Sequence, residues 1–505
     1  MFELFTETSE KARIAGRVLW ITCTFTICTV ATWIIFKIPN FYEFRNHDWY
    51  LGIQLIEVAK KFSEDYWINP YSGFYDPSNP GKLLFGNHLF SSGMLIWSPD
   101  VLLFRFFSTV NCLKIHYLFS LFVAVCSLNY VKSRLNLGFL SALSLSLTWV
   151  LSGPIVGRMS EGHIQLTGYL FIPTFLCLVD EAIKSRGAQS GRQTALNLAL
   201  LICFVVALGS THVLVQFSLV LLIAGLVYKS ARKICLTATL MGWLFSAFQF
   251  IPGMLSPSFE WSTRSVYQGY GWRFWENFFN GRDYYQGSLP EIVTALLKSP
   301  LEITHHFIIA LTDSTFAIRA SGWEWTLGIG LIPTLILISL NFKNFRETMN
   351  FLRGRKYLMI VLMLSIGISY RILYLGLNEF LPIPAVDRVP YRMGIYVFAA
   401  LLLISFQNVE KMRKDSHIST KLFSLAISVS IPILVGIQSL GWFERLQTES
   451  YLGLGIPQIQ LRDYIRDKSY ETSVLLSFFV SFASLVTALI YRRTKLSRKV
   501  LDKSE

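Results

Sequence analysis

This sequence predicts an all-α polytopic membrane protein of about 12 transmembrane helices, and three observations carry that expectation. Of its 505 residues, 52% are hydrophobic and only 15% are charged, where a soluble domain carries about 25% charged residues. Mean hydropathy is +0.45, and no Pro/Gly/Ser-rich linker divides the chain into soluble domains. Apolar windows of spanning length recur throughout, and about 20 helical residues suffice to cross the hydrocarbon core.

The windows lie near 15–36, 115–131, 137–156, 164–183, 194–210, 213–228, 234–252, 326–341, 357–375, 391–408, 421–440 and 473–491. The first is too long for a cleavable signal peptide, and Ile35-Phe36-Lys37 offers no small-residue cleavage site. Charge then orients the spans. With the N-terminus inside, the cytoplasmic segments hold 26 Lys/Arg against 10 Asp/Glu, and the remainder of the chain holds 20 against 22. That is the positive-inside pattern. The formal charge of +14 is therefore a topology signal, and no nucleic-acid partner is expected.

The apolar stretch Met94 to Phe107 contains Pro99, Asp100 and Arg105. Counting it as a span would move every later basic cluster outside, so it reads as an interfacial helix on the outer leaflet. Both termini are then cytoplasmic, and two large outer loops, 37–114 and 253–325, contain interfacial helices. Nine of the 13 Trp fall in outer segments. Interfacial anchoring explains some of them, and a carbohydrate platform is the alternative. The seven Cys include no Cys-x-x-Cys pair, so neither a zinc site nor a disulfide framework is implied.

Three constellations carry candidate chemistry. The first is Glu43 to Trp49, with Asp48 just ahead of an expected helix that places Leu51, Leu55, Val58 and Phe62 on one side and Gln54, Glu57, Lys60 and Lys61 on the other. Asp48 reads either as the N-cap of that helix or as a general base that takes a proton from an acceptor hydroxyl. Downstream, Trp67 and Asn69 in Trp67-Ile68-Asn69-Pro70-Tyr71 are candidates for sugar or acceptor contacts, whereas Asp76 before Pro77 reads as a turn former. The second constellation, Gly157 to His163, reads as a seven-residue outer hairpin with Arg158, Glu161 and His163 beside the bilayer. Charges there are costly and usually functional. Glu161 and His163 suit acid–base work, and together with Asp48 they form the one candidate set for a divalent ion, Mg2+ or Mn2+. The structural alternative is an Arg158–Glu161 pair. The third is Asp387-Arg388-Val389-Pro390-Tyr391-Arg392 at the outer start of the tenth window. Two guanidinium groups there suit phosphate, which they bind bidentately, and membrane orientation does not call for basic residues on that side. Pairing with Asp387 or with lipid headgroups is the alternative.

Taken in order, these features resemble the GT-C type integral-membrane glycosyltransferases, in particular the bacterial branch related to lipoteichoic-acid and O-antigen modifying enzymes. The resemblance rests on Asp48, Trp67 to Tyr71, Asn79-Pro80, Gly162-His163, Trp323 to Gly328 and Arg388 to Arg392, and it spans residues 15 to about 410. It implies a catalytic module over 1–410, followed by C-terminal transmembrane helices over 411–505 with a short outer segment 441–472. It implies a sugar donor carried on a polyprenyl phosphate or pyrophosphate, a glycan, lipid or protein acceptor, and inverting transfer at the outer face of a bacterial plasma membrane. Asp48 and Glu161 match the catalytic positions, Arg388, Arg392 and Arg158 the donor phosphate site, and His163, Asn69 and Trp67 the sugar or acceptor site. The second acidic position is Glu-Gly-His here, not Asp-x-Asp, which leaves metal use open. A transporter or flippase of lipid-linked glycans is the non-enzyme alternative, disfavoured because no self-similar halves recur. An O-antigen ligase or polymerase is the enzyme alternative.

Overall fold

A computed structural model describes residues 10–36, 49–64, 73–75, 95–160, 162–185, 188–255, 329–361, 393–448, 460–462 and 468–501. The chain opens with α1 (Glu10–Phe36), α2 (Trp49–Glu64), strand β1 (Gly73–Tyr75), α3 (Val101–Phe104), α4 (Thr109–Arg134), α5 (Phe139–Val150) and α6 (Gly153–Ser160). A 3-10 segment (Ile164–Phe171) leads into α7 (Ile172–Lys184), α8 (Ala188–Ala207), α9 (Thr211–Val227), α10 (Arg232–Phe245) and α11 (Ala247–Leu255). The remaining elements are α12 (Leu331–Lys343), α13 (Phe345–Arg353), α14 (Gly394–Arg413), α15 (Ile418–Thr448), β2 (Gln460–Arg462) and α16 (Lys468–Leu501). β1 and β2 form one antiparallel ribbon with Phe74 opposite Leu461.

The chain is an all-α membrane protein. Six described helices are long and apolar enough to cross a bilayer, or seven if the bent pair α5–α6 counts as one. Several expected spans are interrupted, and proline explains the clearest break. Pro154 has no N–H to give the Val150 carbonyl. So α5 stops at Val150, and α6 leaves at 42°. The window 164–183 divides into the 3-10 segment and α7, and 234–252 into α10 and α11. Met94 to Phe107 holds only the single helical turn of α3 among its described residues, with Leu102 and Phe106 exposed and Val101 and Phe104 buried.

Three helices end in the same way. Behind α4, α6 and α8, the residues Asn136, Gly162 and Gly209 take φ of 52°, 82° and 82°. In each case the next residue's N–H reaches back five positions, as in Leu137 to Lys132 O (3.0 Å), His163 to Arg158 O (3.0 Å) and Ser210 to Val205 O (3.2 Å). This is the Schellman closure, which needs a left-handed residue and so selects Gly or Asn.

Close contacts group the chain into two units. One comprises Met1–Gly52, Lys114–Cys177 and Ser262–Gly455, the other Ile53–Leu113, Leu178–Trp261 and Ile456–Glu505. In the first unit α14 is the central helix, with 83% of its apolar window buried, and it packs on α5, α12 and α15. A helix apolar all round belongs in such a position. Polar side chains tie it in. Asn341 donates to Ser405 Oγ (2.9 Å) and Asn408 donates to Asn341 Oδ1 (3.2 Å). Glu410, 3% exposed, takes Ser141 Oγ–H at 2.7 Å and pairs with Arg413 at 2.8 Å. Arg355 lies 3.3 Å over the Phe351 ring, and burial lowers its pKa to about 10, so it stays charged at neutral pH.

Pro432 inside α15 frees the Ser428 carbonyl, because a proline supplies no N–H to the residue four positions earlier. Ser144 Oγ, on α5, donates to that carbonyl at 2.5 Å. Ser144→Ala is therefore expected to destabilise the protein by about 1–3 kcal/mol, the cost of a buried acceptor left without a donor. In a Pro432→Ala background, where residue 432 supplies its own N–H, the same change should cost much less. Thermal unfolding of the four variants in detergent measures the coupling, and equal costs in both backgrounds would disprove it.

In the second unit α8, α9 and α10 pack on one another, with α16 against α10 and α11. Gly242 allows the close approach of α10 to α8, since a Cβ there would lie 2.9 Å from Ile202 Cδ1. Trp243 donates to Ser218 Oγ (2.9 Å), and the Phe248 N–H in the first turn of α11 donates to Ser481 Oγ of α16 (2.9 Å). Trp97 packs edge-on against Phe248, with centroids 5.3 Å apart, and also beside Phe478.

Candidate functional site

The segment expected as an exposed outer hairpin, Gly157 to His163, is instead the last turn of α6 and its Schellman closure. Gly162 is required there by its φ of 82°. Its carbonyl accepts the Ile164 N–H at 2.9 Å, starting the 3-10 segment. Arg158 is 3% exposed and His163 8%, so both lie within packed protein and not on a solvated loop. A guanidinium remains charged wherever it sits, and a buried one beside a broken span is expensive unless it has a role.

Gly162 also meets α2. At Gly52, in the first turn of α2, a Cβ would clash with the Gly162 carbonyl oxygen, and that neighbour is backbone that cannot rotate away. Only glycine at 52 lets these two backbones touch. Gly52, four residues after Asp48 in the chain, thus rests on the turn that carries Gly162 and His163.

The first turn of α14 is drawn to the same end of the first unit. Phe398 stacks on Trp149 with centroids 6.2 Å apart, and Tyr396 packs edge-on to Phe175 at 6.2 Å. Trp149 Nε1–H donates to Leu170 O at 3.2 Å, joining the end of α5 to the 3-10 segment. Ser439 of α15 donates to the Leu151 carbonyl, and Gly330, which precedes α12, lies against Gln438. The opposite helix ends are gathered separately. Ser141 and Glu410 meet there, Lys414 Nζ donates to Asn136 O at 3.2 Å, and Lys411 pairs with Glu347.

No protein-family model, no curated protein and no solved structure matches this chain. The local geometry therefore stands by itself.

Of the expected site residues, Arg158 and His163 are described, both buried and joined by the backbone bond between His163 N–H and Arg158 O. Asp48, Trp67, Asn69, Glu161, Arg388 and Arg392 lie outside the described residues. So do two members of the candidate metal set, Asp48 and Glu161. Among the described residues no group of three His, Cys, Asp or Glu comes together.

Sequence reasoning missed Glu57. It was expected on the polar side of α2, yet Gln54 is 1% exposed and Glu57 7%. Thr109 Oγ1–H donates to the Glu57 carboxylate, and Arg105 donates to the Ser63 carbonyl, so the second half of α2 is held by polar bonds. Uninterrupted apolar neighbours on both sides (Leu55-Ile56-Glu57-Val58-Ala59) were the available signal. Farther along, Lys60 and Glu64 form a bridge of 3.2 Å. Burial opposes charge on both, but the bridge wins, and Lys60 titrates above its usual range and Glu64 below.

Proposed function

We propose that this protein is a membrane glycosyltransferase that moves a sugar from a polyprenyl-phosphate-linked donor to an acceptor hydroxyl at the outer face of the membrane, in a chain that crosses the bilayer 12 times with both termini cytoplasmic. The observation that carries the reading is the contact of Gly52 with Gly162. It sets the helix that follows Asp48 on the turn that follows Glu161. Two more features support it. The helix that follows Arg388 and Arg392 has Phe398, in its second turn, stacked on Trp149. The helix ends gathered about Trp149 are those the charge bias assigns to the outer side.

The chemistry follows from these roles. Asp48 accepts the proton of the acceptor hydroxyl as its oxygen attacks the anomeric carbon from the face opposite the phosphate. The bond from that carbon to the phosphate oxygen breaks, and the electron pair leaves with the phosphate. Arg388 and Arg392 offset the charge that builds on it, which is electrostatic stabilisation of the transition state. Attack from the opposite face inverts the anomeric centre. Phosphate leaves readily, so the demand for a general acid is small.

Purified protein supplied with polyprenyl-phosphate sugars should release polyprenyl phosphate only when a hydroxyl acceptor is present. Arg388→Ala should weaken donor binding by about 2 kcal/mol or more, the value of a charge-assisted bidentate contact. Arg392→Lys should also weaken it, since an ammonium cannot reproduce the planar fork. Unchanged donor affinity in both variants would remove the phosphate assignment.

A further inference from the structure

One exposed surface has no part in the proposed reaction. The end of α12 and the whole of α13 place two phenylalanines in the open, with Phe342 68% and Phe345 56% exposed. Their rings stack with centroids 6.4 Å apart and planes 9° from parallel. Lys343, Arg346 and Arg353 are exposed beside them. The opposite face of α13 is fixed. Thr348 and Phe351 are buried, Thr348 Oγ1–H donates to Asn341 O at 3.2 Å, and Glu347 pairs with Lys411 of α14. Glu347, the one carboxylate within α13, is thus already matched by a lysine, and the outward face presents three basic groups around an aromatic pair.

Orientation by the positive-inside rule explains basic residues at a helix end. It does not explain a stacked aromatic pair left in the open among them. Basic residues on one side, large apolar residues beside them and a short amphipathic helix that follows an apolar one after a single residue, Asn344, make the arrangement of an interfacial helix. The geometry points to α13 as a docking surface for the anionic phospholipid headgroups of the leaflet at this end of the first unit. Phe342 and Phe345 enter the boundary of the acyl region, and Lys343, Arg346 and Arg353 meet the phosphates. This holds whether or not the protein transfers sugars.

The test is hydrogen–deuterium exchange on the full chain in nanodiscs of phosphatidylcholine alone or with 30% phosphatidylglycerol. Amides of 345–353 should exchange at least about fivefold more slowly in the anionic discs, the attraction of roughly one basic residue to a charged surface. The triple variant Lys343→Gln, Arg346→Gln, Arg353→Gln should lose that difference and keep the phosphatidylcholine value. Phe342→Ser with Phe345→Ser should speed exchange in both disc types. Equal exchange of the unaltered chain in the two discs overturns the proposal without relying on any variant. So does slowing reproduced by inorganic phosphate in phosphatidylcholine discs, or slowing that scales with protein concentration, which would mark a second copy as the occupant.

Discussion

Asp48→Asn is expected to reduce turnover by about 100-fold or more while donor binding and fold persist, because a general base contributes at least that much. The substitution separates two roles that a single carboxylate at this position can fill. The sequence reading leaves Asp48 as either cap or base, and Asn caps a helix nearly as well as Asp. A residue that only capped would leave stability and rate nearly unchanged on substitution by Asn. A base loses its proton acceptor and little else. The measurement is single-turnover transfer from a bound polyprenyl-phosphate sugar, with donor affinity determined separately. If Asp48→Asn turns over normally while Glu161→Gln is inactive, the base is Glu161.

Gly52→Val should be nearly as damaging, for a steric reason. In an open helix, replacing Gly by Ala gains about 1 kcal/mol of helix propensity. At Gly52 the new carbon meets the Gly162 carbonyl, and backbone must move on one side or the other. Overpacking of this kind costs about 1–3 kcal/mol. A shift of roughly 1 Å between groups that must cooperate costs about 100-fold in rate. Gly441→Ala is the control, because nothing lies within 4 Å of a Cβ there, and it should be neutral or slightly stabilising. Thermal unfolding in detergent, together with the transfer assay, reads both effects. Gly52→Val with native stability and native rate would show that the contact is not needed.

The spans were legible because lipid leaves little choice. A backbone in hydrocarbon must satisfy its own hydrogen bonds, so apolar length alone marks α1, α4, α8, α14, α15 and α16 as candidate crossings. The breaks were not anticipated, although their causes are local: Pro154 ends α5, and Gly162 closes α6. The misreading of Gly157 to His163 has the same origin. Charge within a polar-looking run suggested a loop, but a Gly two residues beyond a helix end is also what a Schellman closure demands. Glu57 was misplaced for a different reason. A helical wheel assigns a polar residue to the outer face, and it cannot anticipate a partner 52 positions away such as Thr109.

By itself, then, the amino-acid sequence determined that this is an all-α membrane protein with several helices long and apolar enough to cross a bilayer. That follows from hydropathy acting locally along the chain. Tertiary structure decided which elements touch: Gly52 on Gly162, Ser144 on the carbonyl that Pro432 releases, Phe398 on Trp149, and Lys411 on Glu347. Those contacts join residues from 64 to 284 positions apart in the polar cases. No local pattern specifies them, because they depend on how whole helices pack and on which buried groups are left needing a partner.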